Sequence, residues 1–276
     1  MSSKSVIQLL AGIILLLGYG YEAQAAFEQD IAGPRALGMG GGGAALTGDG
    51  WSAMRNPALI RDKGVQVASS WLQQFGLPEL NHEFFAASKA FRYASLGLSG
   101  STFGSDLYRE SALDIGVARA MRPYLTLGMT CGVRSLSVQN YGDGNAPSLS
   151  LGLLAKPVEP VAIGVVWKQF NRGRIEGYRE RLPESLTIGA SSGIGEASRV
   201  VFDLISEKHF PVETRFGIES RFTKYLALRV GGRTEPFRPS CGIGIGFRGV
   251  KSHYSGDLHP DLGASHSVGL EIGWDQ

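Results

Sequence analysis

The chain predicts an all-β protein, a transmembrane antiparallel β-barrel of about 14 strands. Three observations carry that expectation. From Val65 onward apolar residues recur at every second position, the period of a strand whose two faces meet different surroundings. The runs are about ten residues long and even in number, as tilted membrane crossings and bacterial outer-membrane barrels require. Tight turns alternate with longer links, which matches the periplasmic and extracellular ends of such a barrel.

The first element, residues 1–25, reads as a secretory signal peptide. Lys4 supplies the positive start, Val6 to Leu17 is mostly apolar, and Ala23-Gln24-Ala25 is a small-x-small cleavage site. The apolar run is well short of the roughly 20 residues that span a bilayer as a helix. Cleavage near Ala25 would leave Ala26 as the first residue of the exported chain.

Residues 26–62 form the second element, read as a plug or hatch. Its core, Ile31 to Ile60, carries Gly33, Gly38, Gly40, Gly41, Gly42 and Gly43 and ends in Asn56-Pro57-Ala58. Glycine loses the most conformational freedom on ordering, so such a segment needs walls around it. A surrounding barrel would provide them.

The barrel itself is expected over 63–276. Strands are placed near 65–72, 82–92, 94–103, 109–120, 124–138, 146–156, 160–170, 184–192, 197–207, 212–222, 225–233, 239–248, 250–257 and 264–274. Leu113, Ile115 and Val117 alternate with Asp114, Gly116 and Ala118, and Cys241, Ile243, Ile245 and Phe247 alternate with Gly242, Gly244, Gly246 and Arg248. Longer links are expected at 73–81, 139–145, 171–183, 234–238 and 257–263, the longest near 13 residues. A secreted β-sandwich would alternate too, but its outer face would be charged. Here the face opposite the large residues is rich in Gly, Ser and Thr, which suits a lumen packed by a plug. Gly is 39 of 276 residues, about double the usual share, and charged residues are only 19%.

Several function classes fall away. A net charge of +2 with no basic stripe gives no footprint for nucleic acid. Gly38 to Gly43 formally satisfies GxGxxG, but no strand precedes it and no βαβ unit follows. Gly189 to Gly195 resembles the cofactor turn of short-chain dehydrogenases, yet neither Tyr225 nor Tyr254 has a Lys four positions on. His253, His259 and His266 match no common ligand spacing, and Cys131 and Cys241 belong to no CxxC pair. No nucleophile elbow or paired carboxylate arrangement stands out, so no enzyme, metal or cofactor is expected.

Charged residues on the small-residue face are the candidates inside the lumen: Asp114, Arg134, Lys168, Asp203, Arg229, Arg248 and Glu271. Facing lipid, Arg or Lys would cost roughly 2–4 kcal/mol at midplane. Inside, such groups either pair across strands to hold barrel and plug or serve solute passage.

Gly33-Pro34-Arg35-Ala36-Leu37-Gly38-Met39-Gly40-Gly41, then Asp49, then Asn56-Pro57-Ala58, resembles the N-terminal signature of FadL-like outer-membrane barrels, most closely the PorV/PorQ branch. Tyr254 to Leu270, with Asp261-Leu262-Gly263 and Ser265-His266, is similar to the end of that branch. The resemblance implies a 14-stranded barrel in the outer membrane with its N-terminal segment folded into the lumen as a hatch. It implies hatch roles for Gly33, Arg35, Gly38, Gly40, Gly41, Asp49, Asn56 and Pro57, with Arg35 meeting a lumenal carboxylate. Within the family, one set moves hydrophobic compounds and another serves type IX secretion with exported proteins as partners. Two functions are therefore expected: passage of small hydrophobic solutes, or a non-transporting part in protein export or surface attachment. The breadth of the family favours the first and short links the second, with solute passage the leading expectation, and the chain's end at Trp274-Asp275-Gln276 departs from a terminal aromatic.

Overall fold

Fourteen antiparallel strands follow one another around a closed ring, β1 to β14, with β14 pairing back onto β1. The computed structural model describes residues 26–27, 31–60, 64–208 and 210–274. The signal peptide expected over 1–25 lies outside the described residues.

The strands are β1 Val65–Gln73, β2 Asn81–Ala90, β3 Ser95–Gly104, β4 Tyr108–Arg122, β5 Leu125–Val138, β6 Gly142–Val158, β7 Val161–Lys168, β8 Ser185–Ile194, β9 Ser198–Glu207, β10 Glu213–Arg221, β11 Leu226–Arg233, β12 Arg238–Phe247, β13 Val250–His259 and β14 Gly263–Trp274. Each consecutive pair is joined as a meander, so every strand finds its two partners beside it in sequence except at the β1–β14 seam. There Val65 stands opposite Trp274 and Gln73 opposite His266.

The two-residue period sorts side chains by face. Leu113, Ile115 and Val117 of β4 point outward and are exposed, as are Leu228 and Val230 of β11 and Val268 and Leu270 of β14. Inward come Ser148, Ser191, Ser255 and Ser267, all buried. Exposed Tyr93, Tyr124, Phe222, Phe247 and Trp274 sit at the end that carries the chain termini of β1 and β14, and Tyr141, Phe210 and Phe237 at the other. An apolar band between two aromatic belts is the surface that hydrocarbon and its two interfaces stabilise, and only a closed sheet satisfies all its backbone groups there.

The two ends differ. One has tight turns, such as 123–124, 159–160 and 248–249, and is called here the turn end. The opposite, loop end holds 74–80, 105–107, 169–184 and 234–237. Three expected links change, one of them 257–263, which shrinks to 260–262 because β13 runs on to His259 and pairs there with Gly263 of β14. The 139–145 link shrinks to 139–141, because β6 begins at Gly142 and its Gly-Asp-Gly-Asn start pairs fully with β5 down to Val138. The 171–183 link grows to 169–184, where Arg174 and Arg181 form an isolated bridge.

Heated and unheated samples of the intact chain should migrate differently on denaturing gels, as a closed barrel resists detergent until heated. Ile115→Arg, at the middle of β4 and facing out, should lower stability in a bilayer by about 2–4 kcal/mol in equilibrium refolding.

Candidate functional site

The lumen is filled by residues 31–60, nearly all buried. The segment makes no strand and cannot borrow hydrogen bonds from the sheet, whose ladders are complete. Buried backbone groups must nonetheless be paired, and this chain pairs them in two ways: short internal turns, and side chains reaching in from the wall.

The internal turns start at Gly33, at φ 87°, where a Cβ would collide with the Trp51 ring. Pro34 then opens one helical turn, Pro34–Leu37, where a missing N–H costs nothing. The N–H of Gly38 donates to the Pro34 carbonyl, and those of Met39 and Gly41 both donate to that of Ala36. A second turn spans Ser52–Arg55. Asn56 closes the segment: its Oδ1 accepts from the Ala58 N–H (2.9 Å), capping the 3-10 turn Pro57–Leu59, while its Nδ2 donates to the carbonyls of Ala44 (2.7 Å) and Leu153 (3.2 Å). Asn56-Pro57 therefore ties the plug to itself and to β6 at once.

The wall supplies the rest. One Asp203 oxygen accepts from the N–H groups of Gly43 (2.6 Å) and Ala44 (2.9 Å). Glu271 accepts from the Gly50 N–H (2.8 Å) and pairs with Lys251 (2.7 Å). The Gly40 N–H donates to Ser240 Oγ (2.8 Å), Ser191 Oγ donates to the Ala45 carbonyl (2.9 Å), and Arg215 reaches the Gly41 carbonyl (3.4 Å). Close approach makes these contacts possible. Gly38 lies against the backbone of Gly242, and Gly40, at φ 71°, lies on the backbone of Gly232 so tightly that a Cβ there would fall onto its carbonyl.

One ionic chain runs from plug to wall. Asp49, fully buried, takes Arg55 at 2.7 Å and Arg35 at 3.3 Å. Arg35 turns its other edge to Glu219 of β10, with Nε donating to Oε2 (2.9 Å) and Nη2 to Oε1 (2.7 Å). Arg229 of β11 completes the row, Nε donating to Glu219 Oε2 (2.7 Å). Burial alone would raise the Asp49 carboxyl, but Arg55 and Arg35 outweigh it and hold it at about 2. Burial disfavours the Arg35 charge too, yet Glu219 and Asp49 keep the guanidinium more firmly protonated than usual.

The seven lumenal candidates divide into three groups. Asp203, Arg229 and Glu271 bear on the plug. Asp114 and Arg134 pair with each other (3.0 Å) and, with Lys168, line a small cavity of about 120 Å³ beside Met54 and Pro57. Arg248 is not on the inner face of a strand: β12 ends at Phe247, and Arg248 occupies the turn at φ 48°, exposed, stacked over the Phe247 ring and at the mouth of the turn-side cavity. The three histidines separate as well. His253 is buried edge-on to Trp51, His259 accepts from the N–H groups of Asp261 and Leu262, and His266 meets the Tyr254 hydroxyl outside. Gly189 to Ile194 is strand β8, followed by a turn at Gly195.

Glu219, Arg55 and Arg215 were not among the sequence candidates. Arg215, Gly217 and Glu219 alternate with Phe216 and Ile218, so the face rule that selects Asp203 selects them equally. Arg55 carried no such signal, because its partners are within the plug.

The plug stands between two chambers. The loop-side one, about 450 Å³, is lined by Ile31 and Leu37 of the plug with Leu72, Phe75, Phe210 and Leu262 among others. The turn-side one, about 740 Å³, has Arg35, Thr47 and Gly48 as its plug face. They share no lining residue.

No family model matches the chain, and no curated protein does. Solved structures do match in fold. The toluene transporter TbuX of Ralstonia pickettii superposes with a TM-score of 0.66 at 13% identity, over 88% of this chain and 98% of that one. The toluene transporter TodX of Pseudomonas putida gives 0.68 at 11%, over 91% and 99%. A Pseudomonas aeruginosa FadL homologue gives 0.65 at 10%, over 91% and 100%. At these identities the likeness is one of fold.

Gly40→Ala should unseat the plug locally, adding to the clash about 1–2 kcal/mol for a left-handed non-glycine residue; faster proteolysis within 31–60 on the folded barrel is the readout. Because the Asp49 carboxyl lies below its ordinary value of 3.8, its contribution is complete above about pH 4 and lost as pH falls toward 2. Across that window the thermal midpoint should fall, and Asp49→Asn should lower the midpoint at pH 7 while flattening the acid limb.

Proposed function

We propose that the protein is an outer-membrane barrel that passes small hydrophobic solutes from its loop end to its turn end, with residues 26–62 acting as a hatch. The observation that supports this most directly is the plug between two separate chambers. The loop-side chamber combines apolar side chains of plug and wall, Ile31, Leu37, Leu72 and Phe75, with charged ones that include Glu213, Arg215, Arg233 and Asp257, so a hydrophobic molecule leaving water would gain roughly 25 cal/mol per Å² on the apolar part of that lining alone. To go further it must displace the plug, which is held by hydrogen bonds and ion pairs and by packing of Ile31, Leu37 and Trp51 with Ala68, Leu72 and Phe84 of the wall. That barrels of this fold include toluene transporters agrees with the reading.

In this view residues 1–25 direct export and are removed near Ala25, and 63–276 is the membrane wall. The even strand count returns both ends of the wall to the turn side, and in this reading the turns lie in the periplasm and the loops outside. Gly33, Arg35, Gly38, Gly40, Gly41, Asp49, Asn56 and Pro57 form the hatch, and Asp203, Glu219 and Glu271 are its catches on the wall.

A second reading, a PorV-like component of protein export or surface attachment, draws on the loop end. Apart from 169–184 its links are short, leaving little loop to build a funnel for solutes.

One experiment separates them. A Cβ on Gly42 would lie 3.6 Å from that of Val201, within the range of about 3.5–4.5 Å that a disulfide spans. In a chain with Cys131→Ser and Cys241→Ser, Gly42→Cys with Val201→Cys should lock the hatch to β9. Liposomes carrying the oxidised form should admit a hydrophobic fluorescent probe more slowly than the same liposomes after reduction. Equal rates before and after would remove conduction through a moving hatch and leave the second reading.

A further inference from the structure

We propose that the turn-side chamber is a binding site for an oxyanion of the carboxylate or phosphate class, held by Arg199 and Arg221 with Arg229 behind them. Arg199, Glu219 and Arg229 stand directly opposite one another on β9, β10 and β11, and so project into the lumen as one row. Arg221, two residues after Glu219, points the same way, and Arg35 arrives from the plug. Four guanidinium groups thus surround a single wall carboxylate.

Glu219 cannot serve them all. Its oxygens already accept three hydrogen bonds, two from Arg35 and one from Arg229. Arg199, half-buried, makes no hydrogen bond or ion pair among the described residues, and Arg221 has only the Glu196 carbonyl (2.8 Å). Arg229 is 3% exposed, and its Nη1 is buried with no acceptor. Lys224, Arg248 and Lys251 line the same chamber, against Glu196, Glu219 and Glu271. The charge balance of the chamber is strongly positive, and low-dielectric walls focus that potential onto whatever enters.

Guanidinium forks match carboxylate and phosphate oxygens in pairs, which defines the ligand class. An anion there offsets charge that the protein leaves unpaired, and it approaches from the turn end without crossing the plug. The site therefore stands or falls separately from conduction. Its occupant is either a free anion or the charged head of a larger molecule.

Calorimetric titration of the purified full chain in neutral detergent, at fixed ionic strength in chloride, tests this with two probes, inorganic phosphate and phenylphosphonate. Saturable binding of at least one probe is expected. Arg199→Gln should weaken it about tenfold, in line with the loss of a charge-assisted hydrogen bond, and Arg199→Gln with Arg221→Gln further. Arg199→Lys should fall between, and Lys156→Gln, a cation of the turn end outside the chamber, should leave binding unchanged. Retained heat-modifiable migration shows that each variant is folded. Phosphate alone binding as tightly as phenylphosphonate identifies a free-anion site; tighter phenylphosphonate identifies a head-group site. Absence of saturable binding for both probes, or binding that Arg199→Gln and Arg221→Gln leave intact, overturns the proposal.

Discussion

The structure depends on one constraint: every backbone amide must find a partner without bulk water. For the wall, closure of fourteen strands into a ring meets it completely. For the segment inside, closure makes matters harder, since a finished ring has no free edge to offer. Plug amides that its own turns and side chains do not pair must then be met by side chains from the wall's inner face. Asp203 with two N–H groups and Glu271 with one are the outcome. Burying a carboxylate is costly unless it is hydrogen-bonded or paired, so each of them is fixed in place by the plug it receives.

This mutual dependence explains why the lumen looks as it does. Small residues on the inner face, such as Gly231 and Gly242, let plug backbone come to van der Waals distance. The charges form an alternating chain, Arg55–Asp49–Arg35–Glu219–Arg229, rather than isolated ions. Removing one member of a buried pair typically costs about 3–5 kcal/mol because its partner is left uncompensated. A chain of five spreads that vulnerability from plug to wall, so a change at either end is felt at the other.

Much of the architecture was legible before any coordinates. The strand period is a local property, repeated fourteen times with different residues, and the boundaries follow it closely except where glycine-rich Gly142–Asn145 pairs despite having no apolar pattern. The candidate site was legible less evenly. Asp203 and Glu271 stand out as charges on a small-residue face. Glu219 sits on the same kind of face, but its importance comes from Arg35, which is 184 positions away in sequence and leaves no local trace. Arg248 shows the opposite failure. Alternation extrapolated one residue too far, across a strand end where the backbone turns left-handed. The two cysteines were silent on distance; they sit exposed on β5 and β12, half a circumference apart.

The plug also inverts the usual relation between synthesis and capture. Residues 31–60 precede the entire wall, yet the side chains that hydrogen-bond to them across the lumen belong to its later half: Ser191, Asp203, Glu219, Ser240 and Glu271. The first of these lies on β8 and the last on β14, which is also the strand that seals the ring. The segment made first is thus the one whose contacts are completed last. Until the seam closes it is a glycine-rich tether whose Gly50 amide lacks its Glu271 acceptor, and whatever assembles this barrel in a membrane must keep that tether within reach of a lumen that does not yet exist.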